Sequence, residues 1–505
     1  MSLRFEHGLL AAISVTLVAS VLRAEDANPT GPAADRAARI EQLEALLDAQ
    51  RHRLDQLQQQ LAATAAQDAE AARVAAMREQ IREMLSEQEF RESLMPSVVT
   101  AGYDRGFYIR STDEKFKMQF NGVLQFRWTH AAVGSRNRYR LPRLERDDRT
   151  GFDVQRLRLI VRGHLYTPDL TYYVQVSSDV SNNYDFVVRD AYVNYRFADP
   201  FQFQAGIFKV AGTQSELISD SVLQFPDRPM ISEIFSPARS LGARFWGQLF
   251  EKRLEYFLDV VNAFNSSGNR TITPDPAELD NNPGIAFRLL WHALGEKPGR
   301  ELSNEPDHDH LQSPALDFAF HYLFNEDDGD RRTSRIPFPS TRRAGSARGG
   351  FGLTTSNGLQ INQFGWAYAF KYMGFSTRGE YFLRLLDPTQ VASRPFTPWY
   401  LLSGQENTTA QHGAYVQAGY FLPIPGLEKK LEAVARVGGV STLAGEQEGA
   451  WEYTGGLNYY IDGDALKLQM DVTKITEAPI SSSNVGIPNV NDRALIFRVQ
   501  LQVAF

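Results

Sequence analysis

The chain has 505 residues, of which 43% are hydrophobic, and its mean hydropathy of -0.34 excludes a protein built from membrane-spanning helices. The strands of a transmembrane β-barrel are not detected by a mean hydropathy, because each strand alternates polar and apolar positions. The chain has no cysteine, which excludes disulfides and cysteine-bound zinc, and its net charge of -7 argues against a nucleic-acid partner.

The amino terminus is typical of a secretory signal peptide. Arg4 precedes an apolar run at 9–22, and Ala24 offers a cleavage site, so residues 1–24 are predicted to be removed. The alternative is a retained anchor, although the run is shorter than the roughly 20 residues that span a membrane. Residues 25–35 form a Pro/Gly/Ala linker.

Residues 36–95 are predicted to form an α-helical coiled coil in the periplasm. Apolar residues recur at alternating steps of three and four, which is the pattern of a coiled-coil seam, at Ile40, Leu43, Leu47, Leu54, Leu57 and Leu61. A monomeric amphipathic helix packed on another surface is the alternative. Pro96 ends the segment.

Residues 96–505 are predicted to form an all-β, 16-stranded antiparallel transmembrane β-barrel. About sixteen short alternating runs follow one another, an even number in the porin range. They cover approximately 115–130, 153–167, 169–179, 187–197, 201–209, 239–249, 252–262, 283–294, 314–324, 361–371, 374–385, 410–421, 429–440, 449–460, 465–474 and 492–505.

Tight turns alternate with long polar connectors between these runs. The turn at 167–169 and the connector at 210–238 are examples, and outer-membrane barrels show this asymmetry. The connector 295–313 departs from the pattern, because it is long where a short turn is expected, and it leaves the strand count open there.

One face of each run is apolar and the other carries charge. In 155–165 the arginines share the even positions, and a charge facing lipid costs roughly 2 to 4 kcal/mol, so this face is expected to line a lumen. The candidate anion-attracting residues are Arg156, Arg158, Arg162, Arg196, Arg244, Arg288, Arg378, Arg436 and Arg498, and Arg127 and Arg384 share their face. The acidic residues expected inside are Asp179, Asp190, Glu255, Asp259, Asp317, Glu380, Glu432 and Asp471.

Two interpretations of the inward charges stay open. They attract anions, as three guanidiniums on one face at 156–162 would do, or they pair across strands as Arg378 and Glu380 could. A second basic cluster lies in the connector 325–360 and is either an anion funnel at the channel mouth or a solvated loop. Its members are Arg331, Arg332, Arg335, Arg342, Arg343 and Arg348.

Several stretches resemble the phosphate-selective porin O/P family of Gram-negative outer membranes. They are GYDRGFYI at 102–109 with FKMQFNG at 116–122, FDVQRLRL at 152–159, DAYVNY at 190–195, and AGIFKV at 205–210 followed by QSE at 214–216. The resemblance implies a homotrimer of sixteen-stranded barrels whose pores are narrowed by loops folded inward.

The same resemblance makes 210–238 and 325–360 the constriction loops. Phosphate-specific members use a lysine cluster at the constriction, whereas the first of these two connectors offers only Lys209 at its base and Arg228, beside Glu216, Asp220, Asp227 and Glu233. The resemblance therefore implies a porin more directly than it implies phosphate.

The sequence predicts an outer-membrane porin for passive diffusion of small solutes and ions, with a mild preference for anions, phosphate being one candidate. The alternative is a structural envelope protein whose coil tethers or spaces the outer membrane, with the cell wall as a partner. No enzyme is expected, because Gly-x-Ser-x-Gly and His-Glu-x-x-His motifs are lacking. No cofactor or metal is expected either.

The last strand alternates up to an aromatic carboxy-terminal residue, Phe505. It is predicted to close the barrel against the strand that begins near Lys115. In the family that the sequence resembles, such a terminal aromatic is a signal to the barrel-assembly machinery, so Phe505 is the predicted assembly signal.

Overall fold

The computed structural model describes residues 99–134, 148–178, 184–262, 264, 283–327, 359–387, 409–442, 450–476, 478 and 493–505. The predicted signal peptide, linker and coiled coil lie outside these residues. So do the six arginines predicted in the connector 325–360.

Eighteen strands alternate with turns along the described residues. They are β1 (Val99–Tyr103), β2 (Phe107–Ser111), β3 (Phe116–Gly134), β4 (Arg149–Leu165), β5 (Thr167–Ser178), β6 (Val187–Ala198), β7 (Phe201–Lys209), β8 (Arg239–Leu249), β9 (Leu254–Val261), β10 (Gly284–Leu294), β11 (Ala315–Asp327), β12 (Leu359–Tyr372), β13 (Phe375–Asp387), β14 (Thr409–Phe421), β15 (Leu431–Thr442), β16 (Ala450–Asp462), β17 (Leu466–Ile475) and β18 (Arg493–Ala504).

Strands β3 to β18 form a closed, sixteen-stranded antiparallel barrel. Each strand pairs with the next, and β18 pairs with β3 from Arg493 opposite Gly134 to Ala504 opposite Val123. This confirms the predicted strand count and the closure by the carboxy-terminal strand. The connector after β10 adds no strand to the barrel within the described residues.

A hairpin of β1 and β2 precedes the barrel, and the periodicity did not predict these two strands. They turn at Arg105 and Gly106, whose φ angles are 49° and 137°. Strand β2 pairs with the start of β3, with Phe107 opposite Phe120, next to the place where β18 ends. The sequences of β1 and β2, VTAGY and FYIRS, do not alternate strictly between apolar and polar residues, so this signal was missing.

The alternation along each strand separates an apolar outer face from an inner face. In β18, Leu495 is 52% and Val503 42% exposed, whereas Arg498 is 1% and Gln500 0% exposed. The outer face also carries exposed aromatic side chains such as Trp366 at 45%. An apolar outside around a polar inside is typical of a barrel that lies in lipid.

The two ends of the barrel differ in their connectors. The short-turn end includes the one-residue connection between β4 and β5 and the two residues between β12 and β13. The long-loop end includes the connectors after β3, β5, β7 and β9. Two connectors at the short-turn end are longer than its other turns, namely residues 295–314 and residues 422–430.

The third connector at the long-loop end, Val210 to Ala238, is called loop 3 and folds into the barrel. It contains helix α1 (Gln214–Leu217), a 3-10 turn (Asp220–Val222) and helix α2 (Met230–Phe235). Within the described part of the chain, no helix has the length and apolar composition needed to cross a membrane.

Helix α2 packs against the inside of the barrel wall. Its residues Met230, Ile231, Ile234 and Phe235 are at most 1% exposed. They share one apolar cluster with inward residues near the long-loop end, namely Ala131, Val133, Phe382, Tyr415, Val440, Ala450, Ile475, Ala478, Ala494 and Ile496. Apolar inner positions at this end therefore provide the surface on which loop 3 docks.

Phe235 is expected to hold loop 3 on the wall. Its ring stacks on Phe382 at 4.9 Å between centroids, and the Arg384 guanidinium lies 4.6 Å from the ring centre. Phe235→Ala should destabilise the docked loop by about 3 to 5 kcal/mol. Trypsin cleavage after Arg228, measured on the folded barrel in micelles, should become faster. Phe318→Ala, on an outward side chain 44% exposed, should not change it, and equal cleavage of both variants would contradict the docking.

Candidate functional site

The backbone of loop 3 is held by side chains from the inner wall. Buried backbone groups need hydrogen-bond partners, and here the wall supplies donors for several loop carbonyls. Lys467 Nζ donates to the Leu223 carbonyl at 2.8 Å, and Arg384 donates to the Ile234 carbonyl at 2.6 Å. The same is done for carbonyls of loop 3 by Gln125, Arg156, Gln363, Arg436 and Asn458.

The wall also accepts hydrogen bonds from the loop. Glu380 accepts from the backbone N–H groups of Gln214 and Ser215 at 2.6 and 2.9 Å, and Glu452 accepts from that of Met230 at 2.7 Å. Loop 3 is therefore attached to strands on several sides of the barrel and crosses the interior.

Asp227 of loop 3 is the point where three wall arginines meet. Arg127 and Arg498 each lie 2.7 Å from one carboxylate oxygen, and Arg156 lies 3.2 Å from the other. Burial alone would raise the pKa of the Asp227 carboxyl. The three guanidiniums together outweigh this effect and lower the pKa to about 2. The carboxylate stays ionised, so its stabilisation is present above the unfolded pKa of about 3.9 and is lost as the pH falls through about 2.

Asp220 of loop 3 is a second such point. It pairs with Arg158 of β4 and with Arg228 of loop 3 itself, and its carboxylate lies 3.6 Å from Arg156. All of these side chains are at most 10% exposed. Two loop carboxylates thus face the arginine cluster that the sequence placed on β4.

Other predicted inward arginines pair within the wall or bind other buried groups. Arg244 lies 2.6 Å from Asp259, Arg436 lies 2.6 Å from Glu452, and Arg498 also lies 2.5 Å from Asp471. Arg288 donates to the Gly212 carbonyl at 2.7 Å.

Arg378 and Glu380, the pair considered from the sequence, have different partners. Arg378 lies 3.7 Å from Glu305, while Glu380 binds loop 3. Pairing, one of the two interpretations left open, thus describes most of these arginines, and their partners come from loops as well as from neighbouring strands.

Two predicted arginines are exposed. Arg162 shares the alternation of Arg156 and Arg158 on β4 but has an exposed side chain, with no ion pair to any described residue. Arg196 lies near the short-turn end, where it pairs with Asp169 at 2.7 Å and Asp199 at 3.3 Å.

Lys209 and Arg228, the candidates at the constriction, stabilise the fold of loop 3. Lys209 Nζ donates to the carbonyls of Glu216 and Ile218 at 2.6 and 3.1 Å. Arg228 donates to the carbonyls of Ser215 and Ile218, each at 2.7 Å. Both side chains therefore donate hydrogen bonds to backbone carbonyls of loop 3.

Phe505 lies at the seam where the barrel closes. Its backbone N–H donates to the Gly122 carbonyl at 3.1 Å and its carbonyl accepts from Gly122 N–H at 3.0 Å. Asn121 Nδ2 donates to the same carbonyl at 3.1 Å, and the Phe107 ring lies 6.2 Å from the Phe505 ring. A Cβ at Gly122 would lie against the tip of the Phe505 ring, so a side chain there would require that ring to move.

The sequence reasoning missed two features of the interior. Buried amides on the inner face, such as Gln125, Gln363 and Asn458, bind loop 3, and their signal was an uncharged polar residue at an inward position. The connector 295–314 also reaches the interior, and its unusual length was the available signal. Among the described residues, no group of three or more His, Asp or Glu is placed to hold a metal ion.

Comparisons with known proteins agree with the resemblance seen in the sequence. The profile of the family "Phosphate-selective porin O and P" matches residues 133–266, which run from the end of β3 through loop 3 to beyond β9. This confirms the resemblance over that part of the chain. No curated protein matches the chain.

Solved structures of porins are similar at low identity. The anion-selective porin from Comamonas acidovorans is 10% identical with a TM-score of 0.47, covering 77% of this chain and 99% of that one. The outer membrane channel DcaP of Acinetobacter baumannii is 10% identical with a TM-score of 0.45, covering 80% and 100%. OmpT of Vibrio cholerae is 10% identical with a TM-score of 0.45, covering 77% and 98%.

Removing the carboxylate of Asp227 should leave uncompensated positive charge in the interior of the barrel. In Asp227→Asn, Arg127, Arg156 and Arg498 lose a shared counter-charge, and breaking a buried pair costs about 3 to 5 kcal/mol. The thermal unfolding midpoint in micelles should fall. The reversal potential in a KCl gradient should move toward the equilibrium potential of chloride. Asp113→Asn, which removes an exposed carboxylate, should change neither. An unchanged midpoint in Asp227→Asn would show that the three arginines do not depend on it.

Proposed function

We propose that the protein is an outer-membrane porin that lets small solutes and ions diffuse passively through a water-filled lumen. The observation that supports this most directly is a closed sixteen-stranded barrel with an apolar outside and a charged interior crossed by loop 3. A barrel of this size is too wide for wall side chains alone to fill. The family match over residues 133–266 supports the same proposal.

Loop 3 is the element that narrows the lumen in this proposal. Its two helices and its ion pairs hold it across the interior, so solutes would pass beside it and its position would set the size limit. No bound group is needed for such transport, since charged walls bias ion occupancy and diffusion does the rest.

A mild preference for anions, including phosphate as a candidate, is the finer part of the proposal. Arg162 supports it, because its guanidinium is exposed on the inner alternation of β4. The buried arginines support it less, because loop carboxylates and wall carboxylates neutralise most of them. The preference is therefore expected to be weak.

The channel proposal is tested by single-channel recording in planar bilayers across a KCl gradient. The expected result is a steady ohmic conductance with a reversal potential displaced slightly toward that of chloride. Arg162→Gln should reduce this displacement, and the matched change Arg110→Gln, on the exposed hairpin strand β2, should leave it unchanged. Absence of conductance from correctly folded protein would refute the porin, and a clear cation preference would refute the anion part.

We also propose assembly as a homotrimer in outer-membrane lipid, with Phe505 as the signal for the barrel-assembly machinery. The seam contacts of Phe505 give its loss a second effect, since the hydrogen bonds to Gly122 N–H and carbonyl would be lost. Deleting Phe505 should lower the amount of folded barrel in outer membranes, measured by heat-modifiable migration, more than it lowers the conductance of the barrels that form. Normal membrane levels of the truncated chain would contradict this role.

A further inference from the structure

One connector at the short-turn end enters the interior from the side opposite to loop 3. It joins β10 to β11, and its central part, residues 301–311, is called the inward connector. Leu302, Glu305 and Asp307 are 6%, 2% and 1% exposed. Buried carboxylates need specific partners, so this segment has a defined place in the fold.

The barrel wall fixes the inward connector along its length. Lys371 Nζ donates to the Glu301 carbonyl at 2.8 Å, and Arg378 donates to the Asn304 carbonyl at 3.0 Å. The Asp307 carboxylate accepts from Gly374 N–H at 2.7 Å. The segment is thus attached to β12, to β13 and to the tight turn between them.

Glu305 joins the inward connector to loop 3. Its backbone N–H donates to the Val222 carbonyl at 3.1 Å, and its carboxylate accepts from Gln224 N–H at 2.8 Å. The same carboxylate oxygen accepts from Gln417 Nε2 at 2.9 Å, and Arg378 lies 3.7 Å from the other oxygen. Two segments that enter from opposite ends of the barrel therefore meet at Val222–Gln224.

We propose that the inward connector is a second constriction element of the channel and that Glu305 is the residue that positions the middle of loop 3. The proposal rests on the porin function proposed above. Charge-assisted hydrogen bonds are stronger than neutral ones, so a buried carboxylate bound to loop 3 restrains it well. Without that contact, the part of loop 3 between α1 and α2 keeps its bonds to the wall and within the loop but loses its attachment to the inward connector, so it gains freedom to move.

The positioning role is tested by removing the carboxylate in two steps. Glu305→Ala leaves Gln224 N–H, Gln417 and Arg378 without this acceptor, so the open-channel current noise should rise about twofold while the barrel stays folded. Glu305→Gln keeps an oxygen acceptor and should restore most of the native signal. Asp309→Asn removes an exposed carboxylate of the same connector and should behave as the native protein.

Unchanged noise and conductance in a folded Glu305→Ala barrel would overturn the proposal. Equal effects of Glu305→Ala and Asp309→Asn would overturn it as well, because a general change of charge at that end would explain both.

The contact is also testable without any conductance, which separates its failure from failure of the porin function. The chain has no cysteine, so Val222→Cys with Asn304→Cys introduces two unique thiols. A short bis-maleimide, applied to outer-membrane vesicles, should join them within one chain and speed its migration after unfolding. The single-cysteine variants should not shift. Absence of the shift in the double variant, with both thiols labelled, would overturn the proposed meeting of the two segments.

Discussion

Attraction between an arginine-rich inner wall and the carboxylates of loop 3 is the interaction on which the interior depends. An arginine that faces lipid is costly, and so is a buried guanidinium without a partner, so the wall needs negative charge inside the barrel. Asp220 and Asp227 supply it from loop 3. The wall in turn gives the loop donors for its backbone carbonyls, as Lys467 does for Leu223. The loop carboxylates therefore allow the wall arginines to be buried, and the wall donors allow the loop backbone to be buried.

These ion pairs hold loop 3 in one part of the barrel, and apolar packing holds it in another part. Toward the long-loop end, helix α2 lies on inward alanines and branched residues such as Val133 and Ile496. Toward the short-turn end, the inward connector meets loop 3 through Glu305. Loop 3 is therefore held by packing, by ion pairs and by a segment from the other end. A solute that crosses the lumen would encounter a fixed element rather than a freely moving loop.

Much of the barrel could be predicted from the sequence, because strand alternation is set locally by which face meets lipid. The sixteen runs, the inward arginines of β4 and the closure by β18 follow from that rule. The partners of the charges could not be predicted, since Asp227 lies 100 residues from Arg127 and 271 from Arg498. Apolar inner positions such as Ile496 did not follow the alternation of an apolar outer and a polar inner face, because they pack against loop 3 instead of contacting water. The connector 295–314 could be recognised as unusual, but alternation does not say that a segment turns inward.

The most direct test of loop 3 as the constricting element is the single-channel conductance of a barrel whose residues 214–235 are replaced by a short Gly–Ser linker. If loop 3 narrows the lumen, the conductance in KCl should rise severalfold, since the passage would then be limited by the wall. Heat-modifiable migration would verify that the variant barrel is folded. A folded variant with the native conductance would contradict the role of loop 3.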